Sequence, residues 1–129
     1  MITKIFSKEI LVALLVDAAD INEGTHPITD SAWSLQMLMM KRKPGHVFQK
    51  HTHSLINRET KDLQEAVVVT QGKLLITVCD RNGNDVGAYE VSAGQSLFLV
   101  NGGYKLEVLE DVLFYEFKNG PHEEDKIPL

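Results

Sequence analysis

A chain of 129 residues is long enough to bury a hydrophobic core, and its 43% hydrophobic and 24% charged residues are typical of one soluble globular domain. The formal net charge of −5 argues against binding to nucleic acid or to an anionic membrane, because both need a concentrated positive surface. The single cysteine, Cys79, excludes an internal disulfide framework and a multi-cysteine zinc site.

The N-terminal region contains an apolar run over residues 10–16. The run is too short to span a bilayer, which requires about 20 residues, and the charged residues on both sides of it are untypical of a signal peptide. We therefore expect a packed helix or strand and a cytoplasmic location. Ser7 as a helix cap and the apolar spacing favour a helix, whereas the continuous apolar run over residues 11–16 favours a strand.

From Trp33 onward, short apolar runs alternate with turn residues, which predicts an all-β fold. The pair Asn82-Gly83 between two apolar runs is the strongest hairpin signal. The predicted strands cover residues 34–41, 46–53, 65–71, 73–79, 85–91, 95–100, 104–109 and 112–118. Short strands with frequent turns are typical of a sandwich or barrel. We predict one β-barrel domain over residues 33–129, with residues 1–32 packed against it.

Two histidines in one predicted strand mark the candidate site. Because alternate residues of a strand point to the same face, the imidazoles of His51 and His53 are expected to reach one metal ion. Glu65 opens the next predicted strand and shares its face with Val67 and Val69. Two imidazoles and a carboxylate suit a divalent metal such as Zn, Fe, Mn or Ni.

The spacing of these residues resembles the first motif of the cupin superfamily. The matching residues, in chain order, are Gly45, His51, His53, Glu65 and Gly72. Eleven residues separate His53 from Glu65, where the family motif has only a few, and a longer hairpin loop accommodates the difference. Glu59 is the alternative carboxylate, but it lacks a glycine at the right offset. The resemblance implies a single-domain cupin β-barrel of the jelly-roll type with a site in the barrel mouth.

A second cupin motif is matched in outline from Gly94 onward, and the resemblance covers residues 34–126. Val100 stands at the proline position of the motif, and no histidine follows the Gly-Gly pair. Counting places Lys105 at the histidine position, whereas strand parity places Tyr104 on the inward face. We prefer Tyr104. The resemblance then implies that the last metal ligand is replaced and that metal binding is weakened.

Three further residues bear on the site. Gln49 shares a strand face with His51 and is either a pocket residue that donates to a ligand or a side chain that satisfies backbone groups at the strand end. Arg58 lies in the polar loop and is either a contact for an anionic substrate group or a solvated loop residue. Cys79 is expected to be a buried, inert thiol.

The main functional hypothesis is a small cupin whose His51, His53 and Glu65 bind a divalent metal next to a small-molecule ligand, with or without catalysis. The alternatives are a metal-free isomerase or epimerase of a sugar derivative that uses histidine acid/base chemistry, and a ligand-binding cupin without catalysis. Tyr104 is the candidate catalytic residue. Because edge strands of small barrels often pair and cupins are commonly dimers, a homodimer is expected.

Overall fold

The computed structural model describes residues 1–129, and it confirms an all-β fold without any helix. The strands are β1 (Ile2–Ser7), β2 (Ile10–Asp17), β3 (Gly24–Pro27), β4 (Leu38–Lys41), β5 (Glu65–Cys79), β6 (Asp85–Ser92), β7 (Gln95–Leu99) and β8 (Gly103–Lys118). Six of them form one sheet in the order β1-β2-β7-β5-β6, with β8 paired to β5, and this sheet curls into a half-barrel. Strands β3 and β4 form a separate antiparallel pair.

Strand β5 is the centre of the large sheet. Strand β8 pairs with β5 along its whole length, while β7 pairs with its first residues and β6 with its last. Strands β6 and β7 therefore follow one another in the same direction along one edge of β5. The predicted turn at Ala93-Gly94 is a short interruption between them, and the Gly94 N–H donates to the carbonyl of Val69.

Strand β5, strand β8 and the path formed by β6 and β7 all bend at the same level of the sheet. The β5–β8 ladder shifts register between Val69 and Leu74, and Gly72 within this stretch has a φ of 76°. A Cβ on Gly72 would collide with the backbone of Asp111, so the two strands approach each other closely here. Bulges and glycines of this kind let a sheet curve without losing its pairing. The half-barrel is the result of this bend.

The two faces of the sheet bury separate cores. The concave face carries the larger cluster, which includes Val67 and Val69 from one half of β5 and Leu74, Ile76 and Val78 from the other half. The convex face carries Leu14, Val16, Ala66 and Phe98. Trp33, Met37 and Met39 pack over this convex cluster, and the Trp33 and Phe98 rings stack at 5.8 Å between centroids.

The apolar N-terminal run lies in β2, so the strand alternative is the observed one. Strand β2 pairs with β1 on one side and with β7 on the other. Its side chains are buried on both faces, with Ala13 in the concave core and Leu14 in the convex core. Burial on both faces explains why the run is continuously apolar rather than alternating.

The predicted strand over residues 46–53 is wrong. Residues 42–64 contain no strand, and residues 46–53 are exposed. A strand needs a neighbour for its backbone groups and a core for its apolar face, and this segment has neither, since Val47 and Phe48 remain 66% and 57% exposed. The segment is a long exposed loop.

Four other predicted strands merge into two. Residues 65–71 and 73–79 form the single strand β5, and residues 104–109 and 112–118 form the single strand β8. The sequence marks Gly72 and Glu110-Asp111 as turns, but each lies in the bend, where the ladder shifts register and continues.

The edge strand β8 leaves a row of apolar side chains exposed on its convex side, namely Leu113, Tyr115 and Phe117. The expected homodimer stays a prediction. No helix in the structure is long and apolar enough to cross a membrane.

We expect Gly72→Ala to lower the free energy of unfolding by about 3 kcal/mol or more, because the new methyl group meets the β8 backbone and the residue needs a left-handed φ. Gly94→Ala is the matched control, because Gly94 has a φ of 87° but nothing within 4 Å of its Cβ position. The control should lose only about 1 kcal/mol. Equal losses of the two variants in urea unfolding would contradict a tight β5–β8 approach at the bend.

Candidate functional site

The concave face carries a polar cluster beside its apolar core. Its centre is Tyr104 near the start of β8, whose hydroxyl donates to the Oε1 of Glu116 near the end of the same strand at 2.7 Å. Glu116 pairs with Val67 across the ladder, and Glu65 lies on the same face two residues before Val67. The carboxylate of Glu65 also faces the phenol. The cluster therefore holds one phenol between two carboxylates.

The bend of the sheet brings these groups together. Tyr104 is paired with Val78 at one end of β5, whereas Glu116 is paired with Val67 near the other end. A straight strand rises about 3.3 Å per residue, which would separate residues 104 and 116 by about 40 Å. The observed hydrogen bond requires the two halves of β8 to face each other across the concave core.

The phenol of Tyr104 is held in its protonated form. Burial raises its pKa above the usual value most strongly, and the hydrogen bond to Glu116 and the negative charge of Glu65 raise it further. Ionisation would place a third negative charge beside two carboxylates in a half-buried position. Tyr104 therefore acts as a hydrogen-bond donor throughout the neutral pH range.

Strand parity correctly favours Tyr104 over Lys105 for the inward position. The Tyr104 ring packs against the concave core, while Lys105 is exposed and pairs with Glu107 at 3.9 Å. Of the residues predicted for the site, Glu65 and Tyr104 are thus brought together.

The two histidines lie elsewhere, in the exposed loop that precedes β5. The ring centroids of His51 and His53 are 5.4 Å apart, and the rings are nearly perpendicular. The Nδ1 atom of His51 lies 2.7 Å from the backbone carbonyl oxygen of Gln49. The expectation that both imidazoles share a strand face is wrong, because the strand is absent and their proximity is local.

The loop residues do not converge with Glu65 on a common centre. No group of three His, Cys, Asp or Glu side chains is arranged to hold a metal ion. Gln49 and Arg58 are exposed in the same loop, and Arg58 forms no ion pair. The alternative carboxylate, Glu59, accepts a hydrogen bond from Asn57 within the loop at 3.3 Å.

Glu116 is the member of the cluster that sequence reasoning missed. Its parity with Phe114 and Val112 indicates the inward face of the strand. That signal gives the face only, because Tyr104 and Glu116 are far apart along the chain and meet through the bend.

Gln64 fixes the point at which the loop enters the site. It is 4% exposed, and its side-chain oxygen accepts from the Leu35 N–H at 3.1 Å. Its own N–H donates to the side-chain oxygen of Asn119 at 2.8 Å, and Asn119 in turn donates to Thr60 at 3.1 Å. These bonds hold the end of the loop and the end of β8 together, so that Glu65, the next residue, has a defined position.

Cys79 is buried, as expected, and desolvation raises the pKa of its thiol. A raised pKa keeps the sulfur in its unreactive thiol form at neutral pH. Cys79 therefore contributes to packing rather than to the site.

Comparison of the chain with protein-family models, with curated proteins and with solved structures finds no match. Membership of the cupin superfamily stays a prediction from the two motifs.

The cluster makes stability sensitive to high pH. Because the pKa of Tyr104 is raised in the folded state, the folded chain holds a proton that the unfolded chain releases above about pH 10. The stabilisation is complete below that pH and is lost as the pH rises, by up to about 1.4 kcal/mol per pH unit. We expect urea unfolding between about pH 8 and 11 to show this loss in the wild type and a flatter profile in Tyr104→Phe.

Tyr115→Phe is the control, because it removes an exposed phenol that has no hydrogen-bond partner in the structure. It should keep the steep wild-type profile. Parallel profiles for the wild type and Tyr104→Phe would show that the Tyr104 phenol is not the group responsible.

Proposed function

We propose that the concave face of the half-barrel binds a small molecule through Tyr104, Glu116 and Glu65. The observation that carries the proposal is the hydrogen bond between a carboxylate and a half-buried phenol that packs against the apolar concave core. Small-molecule sites in proteins are typically concave and mainly apolar, with a few converging polar groups that orient the ligand.

The donor and acceptor balance of the cluster limits the ligand chemistry. Tyr104 supplies one hydroxyl donor, which is directed at Glu116, whereas the two carboxylates offer several acceptor positions. A ligand with hydroxyl or ammonium donors satisfies those positions, while an anionic ligand is repelled by them. The proposed ligand is therefore a neutral or cationic small molecule that carries hydroxyl or ammonium groups, a class that includes sugar derivatives.

The state of Tyr104 favours binding over acid/base catalysis. Proton transfer is most efficient when the pKa of the catalytic group lies near the operating pH, and the pKa of Tyr104 is raised well above it. Ligand binding is therefore supported over an enzyme mechanism in which the phenol of Tyr104, the candidate catalytic residue, acts as the acid.

Metal binding by His51, His53 and Glu65 is a separate part of the proposal. It requires the part of the loop that carries His51 and His53 to move towards Glu65, because the three side chains are not grouped as ligands. A bound divalent ion would polarise a ligand oxygen in that arrangement. The ligand-binding proposal for Tyr104 and Glu116 stands without it.

The ligand proposal is tested by isothermal titration with a panel of polyols, amino sugars and organic anions. We expect members with hydroxyl or ammonium donors to bind, and anions of the same size to bind more weakly. Tyr104→Phe and Glu116→Gln should each weaken the binding about tenfold, since each alters a hydrogen bond to a charged group. Glu107→Gln is the control, because Glu107 lies outside the cluster on β8 and is exposed.

Binding that is equal in all four proteins would contradict a site at Tyr104. Preference for the anions would contradict the proposed ligand class.

The metal proposal is tested by titrating the protein with Zn²⁺ and Mn²⁺ after dialysis against a chelator. We expect one ion per chain and loss of that ion in the double variant His51→Ala/His53→Ala and in Glu65→Gln. The double variant His26→Ala/His122→Ala removes the same number of imidazoles outside the proposed site and should retain the ion. Equal metal content in both double variants would sink the proposal.

A further inference from the structure

A cavity of about 460 Å³ lies outside the concave cluster, and none of its lining residues belongs to that cluster. Its lining combines apolar side chains, including Ile10, Leu11 and Trp33, with the polar side chains of Asp62, Arg81 and Asn101. Sites for small molecules in proteins typically have volumes of about 300–1,000 Å³, so the cavity is large enough for a ligand.

Two opposite charges in this cavity have no protein counter-ion. Arg81 donates from Nε to the side-chain oxygen of Asn101 at 3.2 Å, while its two Nη atoms have no hydrogen-bond partner and the residue forms no ion pair. The carboxylate of Asp62 likewise has neither a hydrogen bond nor an ion pair. Arg81 and Asp62 line the same cavity without pairing with each other. Both residues are exposed, so their charges face solvent and are accessible to a ligand.

The elements that carry these charges are held in place. Arg81 lies in the turn between β5 and β6, where the Asp80 side chain accepts from the N–H groups of Asn82 at 2.9 Å and Asn84 at 3.0 Å. Those bonds lower the pKa of Asp80, with the backbone bond from Asn84 as the largest cause.

The Asp62 carbonyl accepts from the Asn119 side chain at 3.0 Å. Fixed walls reduce the entropy that is lost when a ligand binds.

We propose that this cavity binds a small zwitterion, namely an amino acid with an apolar side chain. Its carboxylate pairs with the free Nη atoms of Arg81, in the two-pronged geometry that guanidinium groups favour. Its ammonium group pairs with Asp62. Its side chain packs against Ile10, Leu11 and Trp33. The inference concerns a different set of residues from the concave site and does not depend on the function proposed for that site.

The test measures the binding of L-leucine, L-methionine and L-phenylalanine by isothermal titration. Each amino acid is compared with its C-terminal amide, which lacks the carboxylate, and with its N-acetyl derivative, which lacks the ammonium group. We expect the intact amino acid to bind at least about tenfold more tightly than either derivative, because each derivative loses one charge-assisted hydrogen bond.

Two variants separate the two contacts. Arg81→Gln should weaken the binding of the amino acid about tenfold, so that it binds no more tightly than its amide. Asp62→Asn should weaken the binding of the amino acid by a similar factor, so that it binds no more tightly than its N-acetyl derivative. Lys126→Gln and Asp125→Asn change the same charges in the exposed C-terminal segment and should bind like the wild type. Thermal melting of all four variants checks that they remain folded.

The proposal is overturned if no amino acid of the panel binds at millimolar concentration. It is equally overturned if the derivatives bind as tightly as the amino acids, or if Arg81→Gln and Asp62→Asn leave the comparison unchanged.

Discussion

The hydrogen bond between Tyr104 and Glu116 joins two halves of one strand that would lie about 40 Å apart if that strand were straight. It forms only because β8, together with β5 and the β6–β7 path, bends at one level of the sheet. The same bend encloses the concave core, because Val67 and Val69 from one half of β5 then pack with Ile76 and Val78 from the other. The bend at Gly72 is thus the constraint on which the half-barrel, its core and its polar cluster all depend. A flat sheet of the same strands would have none of the three.

Local patterns in the sequence predict the strands, the turns and the face of the sheet on which a side chain lies. The all-β fold, the Asn82-Gly83 hairpin and the inward position of Tyr104 all follow from alternation and turn chemistry, which act over a few neighbouring residues. The strand expected at residues 46–53 has the same alternation but fails, because alternation does not supply a neighbouring strand or a core. The hydrogen bond between Tyr104 and Glu116 cannot be predicted from local patterns either, because it follows from the summed effect of register shifts along a long ladder.

The candidate site also divides into features that local sequence patterns predict and features that depend on distant segments. Alternation places Glu65 and Tyr104 on the apolar faces of their strands, and the structure brings these two side chains together. His51 and His53 were assigned to the same site on the assumption of a strand, and the structure leaves them in the exposed loop, with His51 bonded locally to Gln49. Gln64, which carries no motif, determines where that loop ends through its bonds to Leu35 and Asn119. A buried amide with several backbone and side-chain partners is visible only once distant segments are in place.

In the site that we propose, the polar cluster also limits how a ligand can bind on the concave face. The Tyr104 hydroxyl already has Glu116 as its acceptor, so a ligand that only accepts a hydrogen bond must replace an existing bond and gains little. A ligand that donates to the unfilled acceptor positions of Glu65 and Glu116 leaves that bond intact and adds to it. Because the Tyr104–Glu116 bond also bridges the two halves of β8, a ligand that adds to it stabilises the curled sheet, whereas a ligand that replaces it loosens the bridge. In the proposed site, ligand affinity and the curvature of the half-barrel would therefore be coupled through a single phenol.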